Sequence, residues 1–215
     1  MTATLLPAGL YALCDDTLGV SLPVPEQARA LVSGGARVIQ VRLKRTSTRQ
    51  AIAWIREVVG ICHAAGTRCL VNDRVDWCLV GGADGVHLGD DDLPVDEARR
   101  LLGPTALIGA TVRNGAQTIA AREQGADHVG MGPLFGTQSK QVDAPVLGLE
   151  AFAREVAASV LPVVGIGGIT LERIASVAAA GAHAAAVLSD PLTADDVTAR
   201  ARALAVAFEK GRTAS

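Results

Sequence analysis

Four of the Gly-Ala pairs in this 215-residue chain, Gly35-Ala36, Gly82-Ala83, Gly125-Ala126 and Gly181-Ala182, fall at corresponding places. Each pair follows a stretch with helical spacing of apolar residues and precedes a short apolar run, so each closes a helix and opens a strand. A unit that repeats in this way needs neighbours of its own kind to cover its apolar face. Filling in between the pairs predicts strands at 9–14, 36–42, 69–71, 85–88, 106–110, 128–131, 162–166 and 184–188. Helices are predicted after Pro25 and over 47–65, 75–81, 94–102, 115–124, 149–159, 171–180 and 193–210. Strand and helix alternate throughout, which predicts an α/β chain folded as a single-domain (β/α)8 TIM barrel over residues 1–215. A doubly wound open sheet also alternates strand and helix, but it would be expected to break into two halves at a switch point, and no such break is visible.

Composition fits that frame. Hydrophobic residues make up 49% of the chain and aromatics only 3%, the Ala, Val, Leu and Ile economy of parallel strands covered by small-residue helices. A formal charge of -2 and a pI near 6.1 speak against a nucleic-acid surface, which is normally basic. Anionic ligands must instead be held by a few placed cations. Cys14, Cys62, Cys69 and Cys78 form no C-x-x-C pair, so they read as buried thiols rather than as disulfides or a zinc site. The start of the chain lacks the basic and apolar regions of a secretory leader, and no apolar run reaches the ~20 residues of a membrane span. The chain therefore reads as cytoplasmic, with small-molecule partners and a homo-oligomer left open.

In a barrel the residues that end each strand line one pocket. Strand two ends in Gln40, Val41, Arg42, Leu43 and Lys44, and strand alternation sends Gln40, Arg42 and Lys44 to one side. Two inward cations need an anionic partner. Strand three stops at Asn72-Asp73-Arg74, and strand four is followed by Asp90-Asp91-Asp92 and Pro94. Parallel neighbouring strands bring Asp73 and Asp92 to one spot, where two carboxylates and an amide suit magnesium. The alternative is that these acids cap the helices that follow. Strand five ends at Thr111. The stretch 133–147, with no clear period, is expected to be a lid, and it carries Thr137, Gln138, Ser139 and Lys140. Strand seven ends in Gly165-Ile166-Gly167-Gly168-Ile169, and strand eight in Leu188-Ser189. Glycine turns after the last two strands commonly seat a phosphate in such barrels. No histidine falls at a strand end beside a Ser or Cys, and His87 reads as a packed core residue. The set points to departure of a good leaving group rather than to a nucleophile with its base.

Taken in order, Gln40-x-Arg42-x-Lys44, Asn72-Asp73-Arg74, Gly85-Val86-His87-Leu88-Gly89 with Asp92-Leu93-Pro94, Gly130-x-Gly132-Pro133 with Thr137 and Lys140, the strand-seven glycines and Ser189 resemble thiamine phosphate synthase over nearly the whole chain. The resemblance implies a (β/α)8 barrel that joins hydroxymethylpyrimidine diphosphate to hydroxyethylthiazole phosphate. Carried over by residue, it implies that Gln40, Val41, Arg42, Leu43, Lys44, Asn72, Thr111 and Lys140 hold the pyrimidine diphosphate. Thr137, Gln138, Ser139, Gly168, Leu188 and Ser189 would hold the thiazole phosphate, and Asp73 and Asp92 would ligate Mg2+. Lys140, Arg42, Lys44 and Thr111 would act in catalysis. The chain departs from the family's pattern at Leu43, at Asp90-Asp91 and at Thr111-Val112-Arg113, where a histidine is usual. A sister branch, the thiazole tautomerases, is expected to use that histidine and to lose the metal and pyrophosphate residues, the opposite of what stands here. It remains the alternative, with a non-catalytic sensor of thiamine precursors as a third reading.

Overall fold

A computed structural model describes residues 5–136 and 145–214. Its strands are β1 (Gly9–Asp15), β2 (Val38–Arg42), β3 (Arg68–Asn72), β4 (Gly85–Leu88), β5 (Leu107–Val112), β6 (His128–Met131), β7 (Val163–Ile166) and β8 (Ala184–Val187). They close in that order into a parallel barrel, with β1 paired to β8. Helices α1 (Val24–Ser33), α2 (Thr48–Ala64), α3 (Val75–Gly81), α4 (Val95–Leu102), α5 (Gln117–Glu123), α6 (Leu149–Ala157) and α7 (Leu171–Ala179) alternate with them, followed by α8 (Ser189–Leu192) and α9 (Val197–Thr213). The closed eight-stranded (β/α)8 barrel expected from the sequence is the fold observed.

The four Gly-Ala junctions explain why the alternation is so regular. Gly35, Gly82, Gly125 and Gly181 all carry positive φ, between 76° and 100°, a conformation that glycine enters without the Cβ clash. Each turn drops the chain from a helix directly into the next strand.

Strand pleating then divides the apolar residues into two layers. Alternate positions such as Ala12, Cys14, Ile39 and Val41 pack outward beneath the helices, while Tyr11, Leu13, Val38, Leu70, Leu107 and Val164 fill the barrel's interior. All four cysteines are free and buried.

The sequence reading is corrected at several ends. β1 runs one residue further, to Asp15, and β5 covers Leu107–Val112 rather than 106–110. Helix α5 begins at Gln117 rather than at 115, and Gly115 before it lies so close to α6 that an added Cβ would stand 2.7 Å from the Glu155 carbonyl oxygen. The final helix expected over 193–210 is α9, Val197–Thr213, opened by the Asp196 carboxylate, which accepts the Ala199 N–H at 2.8 Å, and a short helix that was not expected, α8, precedes it. Among the described residues, no helix is long and apolar enough to cross a membrane.

Candidate active site

The carboxyl ends of the strands open into a cleft. Its lining includes Tyr11, Leu13, Gln40, Arg42, Lys44, Asn72, Asp73, His87, Thr111, Arg113, Gly168, Leu188 and Ser189. The alternation along β2 places Gln40 and Arg42 inward, and Lys44 follows the same side. Val41 and Leu43 turn the other way and are buried beneath the helices. At Val41 and Leu43, therefore, only the backbone can face a ligand.

Each inward polar group has a partner built for it. The Gln40 amide donates to the Tyr11 hydroxyl at 2.7 Å, and burial pushes the Tyr11 phenol's pKa up, keeping it protonated. Arg42 pairs with Asp15, its Cα neighbour across the β1–β2 ladder. The Asp15 side chain is fully buried, and it also accepts from the Thr17 N–H at 2.5 Å and the Leu18 N–H at 3.0 Å. Asp16, next along, accepts the N–H groups of Lys44, Arg45 and Thr46, each at 2.8 Å. Burial works against its charged form, but these donors outweigh burial and hold its pKa below the ordinary value. The loop that carries Lys44 is thereby pinned.

Lys44 reaches Asp73, with which it forms an ion pair. Asp73 has φ +63°, and it is the one non-glycine residue with positive φ among the described residues. A conformation that costs about 1 kcal/mol or more persists at a site that over-determines it. Asp92 lies against Asp73 within hydrogen-bonding reach, and its carboxyl is raised above the ordinary range. Burial is the largest cause; the Gly89 N–H, donating at 2.7 Å, offsets part of it, and the neighbouring Asp73 carboxylate adds to the rise. The two acids therefore converge as the strand order requires. Helix capping does not use them: α3 and α4 have no side-chain cap bond, with Arg74 and Pro94 at their cap positions.

Two facing carboxylates with a lysine at one of them form a hard-oxygen donor pair that prefers positive charge between them, which fits magnesium. Among the described residues no group of three or more His, Cys, Asp or Glu side chains could hold a metal. Asp73 and Asp92 would leave the remaining positions to waters and substrate oxygens, the mode magnesium commonly adopts.

The floor beneath is polar and tightly fitted. His87 sets its Nε2 3.3 Å from the Thr111 hydroxyl oxygen and stacks at a tilt 5.8 Å from His128. Gly109 makes room for both rings: a Cβ there would sit 2.3 Å from His128 Nε2 and 2.4 Å from His87 Nδ1. His87, expected as a packed core residue, is packed and hydrogen-bonded as expected, and it also reaches the cleft. His128 is fully buried, and neither ring nitrogen has a hydrogen-bond partner among the described residues. Burial first, then His87 and His183, push its pKa well below the ordinary imidazole value.

On the opposite wall Gly167 and Gly168 carry φ of 100° and 63°. A Cβ on Gly168 would meet the Gly136 carbonyl oxygen at 2.5 Å, and one on Gly167 the Pro133 Cα at 2.6 Å, so the turn packs against residues 133–136 only because both residues are glycine. Leu188 and Ser189 border it at the start of α8. Thr137, Gln138, Ser139 and Lys140 lie outside the described residues.

Sequence reasoning missed Tyr11, Asp15 and Arg113. The alternation that found Gln40 and Arg42 applies equally to Tyr11, Leu13 and Asp15. Arg113 follows Thr111 by two residues once β5 is seen to reach Val112.

The thiamine monophosphate synthase family matches this chain over residues 10–190. A thiamine-phosphate synthase of Myxococcus xanthus is 58% identical over 207 residues, covering 96% of this chain and 95% of that protein. One from Anaeromyxobacter dehalogenans is 48% identical, covering 96% and 90%. Among solved structures, a thiamine phosphate pyrophosphorylase from Pyrococcus furiosus superimposes with a TM-score of 0.86 at 33% identity, covering 95% of this chain and 96% of that one.

Proposed function

The chain belongs to the thiamine monophosphate synthase family, a transferase family of thiamine biosynthesis, and we propose that its cleft carries out the family's reaction by stabilising a departing pyrophosphate. The reaction joins 4-amino-2-methyl-5-hydroxymethylpyrimidine diphosphate to hydroxyethylthiazole phosphate, giving thiamine phosphate and pyrophosphate. The bond between the pyrimidine methylene carbon and the diphosphate oxygen breaks, and its electron pair leaves with pyrophosphate. The pyrimidine's amino group feeds electron density into the methylene cation left behind. The thiazole nitrogen supplies the lone pair for the new bond and has no proton to lose.

The observation that carries this reading is the meeting of Arg42 and Lys44 with the Asp73–Asp92 pair at the ends of adjoining strands. Asp73 and Asp92 would hold Mg2+. When bound, the ion would neutralise charge on the leaving oxygens. Arg42 and Lys44 would grip the same oxygens by charge-assisted hydrogen bonds in a partly enclosed cleft, where such bonds strengthen. With the Gln40 nitrogen committed to Tyr11, its carbonyl oxygen is the group to accept from the pyrimidine amino group, while Asn72 and Thr111 border the same ring. The Gly167–Gly168 turn, Leu188 and Ser189 would take the thiazole phosphate. Family resemblance adds Thr137, Gln138 and Ser139 for the thiazole phosphate and Lys140 for the pyrimidine diphosphate. The reaction itself needs neither a nucleophilic side chain nor a general base.

The test is to mix the purified protein with both precursors and magnesium and to omit each in turn. Thiamine phosphate and pyrophosphate in equal amounts, formed only in the complete mixture, are the expected result. Thiazole phosphate bound without pyrophosphate release would replace this reading with the tautomerase or sensor one.

A further inference from the structure

Three cationic side chains line the described cleft: Arg42, Lys44 and Arg113. Their commitments differ. Arg42 is tied to a fully buried carboxylate, Asp15, and stands 3.3 Å from the Thr17 hydroxyl. Lys44 is tied to Asp73. Arg113 donates to the Gly132 carbonyl oxygen at 3.1 Å and otherwise faces Asp90 at 3.5 Å, across a pair in which Asp90 is 64% exposed. An exposed pair at that distance contributes between nothing and about 1 kcal/mol. Arg113 is therefore the cation most easily turned to a ligand.

Its place in the barrel says which ligand. Around the mouth, β2 brings Arg42 and Lys44, β3 brings Asp73, the β4–α4 loop brings Asp90 and Asp92, and β5 brings Arg113. The acid pair thus sits in an arc with cations at both ends. A metal-bound diphosphate centred on Asp73 and Asp92 would present anionic oxygens to both sides, and among the described lining residues Arg113 is the cation on the β5 side. The backbone at Arg113 is held by Gln117, whose Oε1 accepts the Arg113 backbone N–H at 2.6 Å, and the guanidinium can swing from that fixed point.

We propose that Arg113 is a pyrophosphate-binding residue held in reserve by Asp90: it exchanges the Asp90 carboxylate for the diphosphate when substrate enters and returns to it when pyrophosphate leaves. This rests on the reading of the cleft as a pyrophosphate-releasing site. The two residues then have opposite effects. Removing Arg113 weakens diphosphate binding, whereas removing Asp90's charge frees Arg113 and strengthens it.

The experiment is calorimetric titration of magnesium pyrophosphate into the wild-type protein, Arg113→Gln, Asp90→Asn and the double variant, with steady-state KM values for both precursors. Arg113→Gln is expected to weaken pyrophosphate about tenfold, the loss of one charge-assisted contact, with the thiazole phosphate KM unchanged. Asp90→Asn is expected to tighten pyrophosphate by about twofold to fivefold, within the range of an exposed ion pair, and the double variant should behave as Arg113→Gln. Unchanged pyrophosphate affinity in Arg113→Gln, or weaker binding in Asp90→Asn, would overturn the proposal. Should Arg113→Gln misfold, the exposed Asp90→Asn still decides the sign. A wild-type protein that binds no pyrophosphate would overturn the cleft's assignment itself, a result distinct from either.

Discussion

Asp92 shows in one side chain why the site is stable only as a compromise. Its carboxylate is partly buried and faces Asp73, and both conditions raise its pKa. A raised folded-state pKa means that the charged form weakens folding once pH exceeds it. Asp92→Asn keeps an oxygen for the Gly89 N–H and removes one of the facing charges. Magnesium-dependent turnover is expected to fall about a hundredfold or more, in line with the several kcal/mol a catalytic metal supplies. The metal-free Tm should hold or rise, which thermal denaturation in chelator will show. Asp15 is the converse case. It is a buried charge whose partner Arg42 keeps 15% of its side-chain surface exposed. Asp15→Asn leaves a cation without its carboxylate, and urea unfolding should show a loss of about 3 kcal/mol, with a raised KM for the pyrimidine diphosphate.

At the scale of the elements, β4, β5 and β6 build the barrel's floor by exchanging glycine for histidine bulk. Gly109 and Gly130 have no side chain where His87 and His128 fill the interior. His128 is buried, neutral and lowered well below its ordinary value, so the unfolded chain binds its proton first as the solution is acidified. Stability is thus complete above about pH 6.5 and declines below it, by up to about 1.4 kcal/mol for each pH unit. His128→Leu should flatten that decline in Tm between pH 7 and 5; an unchanged slope would assign the acid sensitivity elsewhere. The segment between β6 and α6 is anchored where it is described: Leu134 and Phe135 donate to Ile166 and Gly167 carbonyls at 2.9 and 3.0 Å, and Leu147 donates to Pro133 at 2.8 Å. Lys140→Ala, within that segment, is expected to slow turnover with little change in Tm, and a normal rate would make the segment only a connector.

For the whole molecule, the barrel could be read from the sequence because its repeat is local: Gly35, Gly82, Gly125 and Gly181, all with positive φ, each follow a helix and stand three residues before the first residue of the next strand. The strand-end polar residues were legible for the same reason, since Gln40 and Arg42 alternate with Val41 in an otherwise apolar strand. β1 hid its contribution because its inner and outer residues, Tyr11 and Leu13 against Ala12 and Cys14, are all apolar until Asp15. Arg113 was hidden by an early end to β5, which left it in a loop instead of on the inward face. α8 has four residues, too few for any period, and only the closed barrel shows that Ser189 begins it.

The account's central claim is that pyrophosphate leaves from the β2 to β5 side of the mouth, gripped by Arg42 and Lys44 with the Asp73–Asp92 pair beside it. A crystal structure of the protein with magnesium, pyrophosphate and thiamine phosphate tests this most directly. It should show the metal between Asp73 and Asp92, pyrophosphate on Arg42 and Lys44, and the thiamine phosphate group at Gly168 and Ser189. Pyrophosphate seated at the Gly167–Gly168 turn, with Asp73 and Asp92 touching no metal, would contradict it.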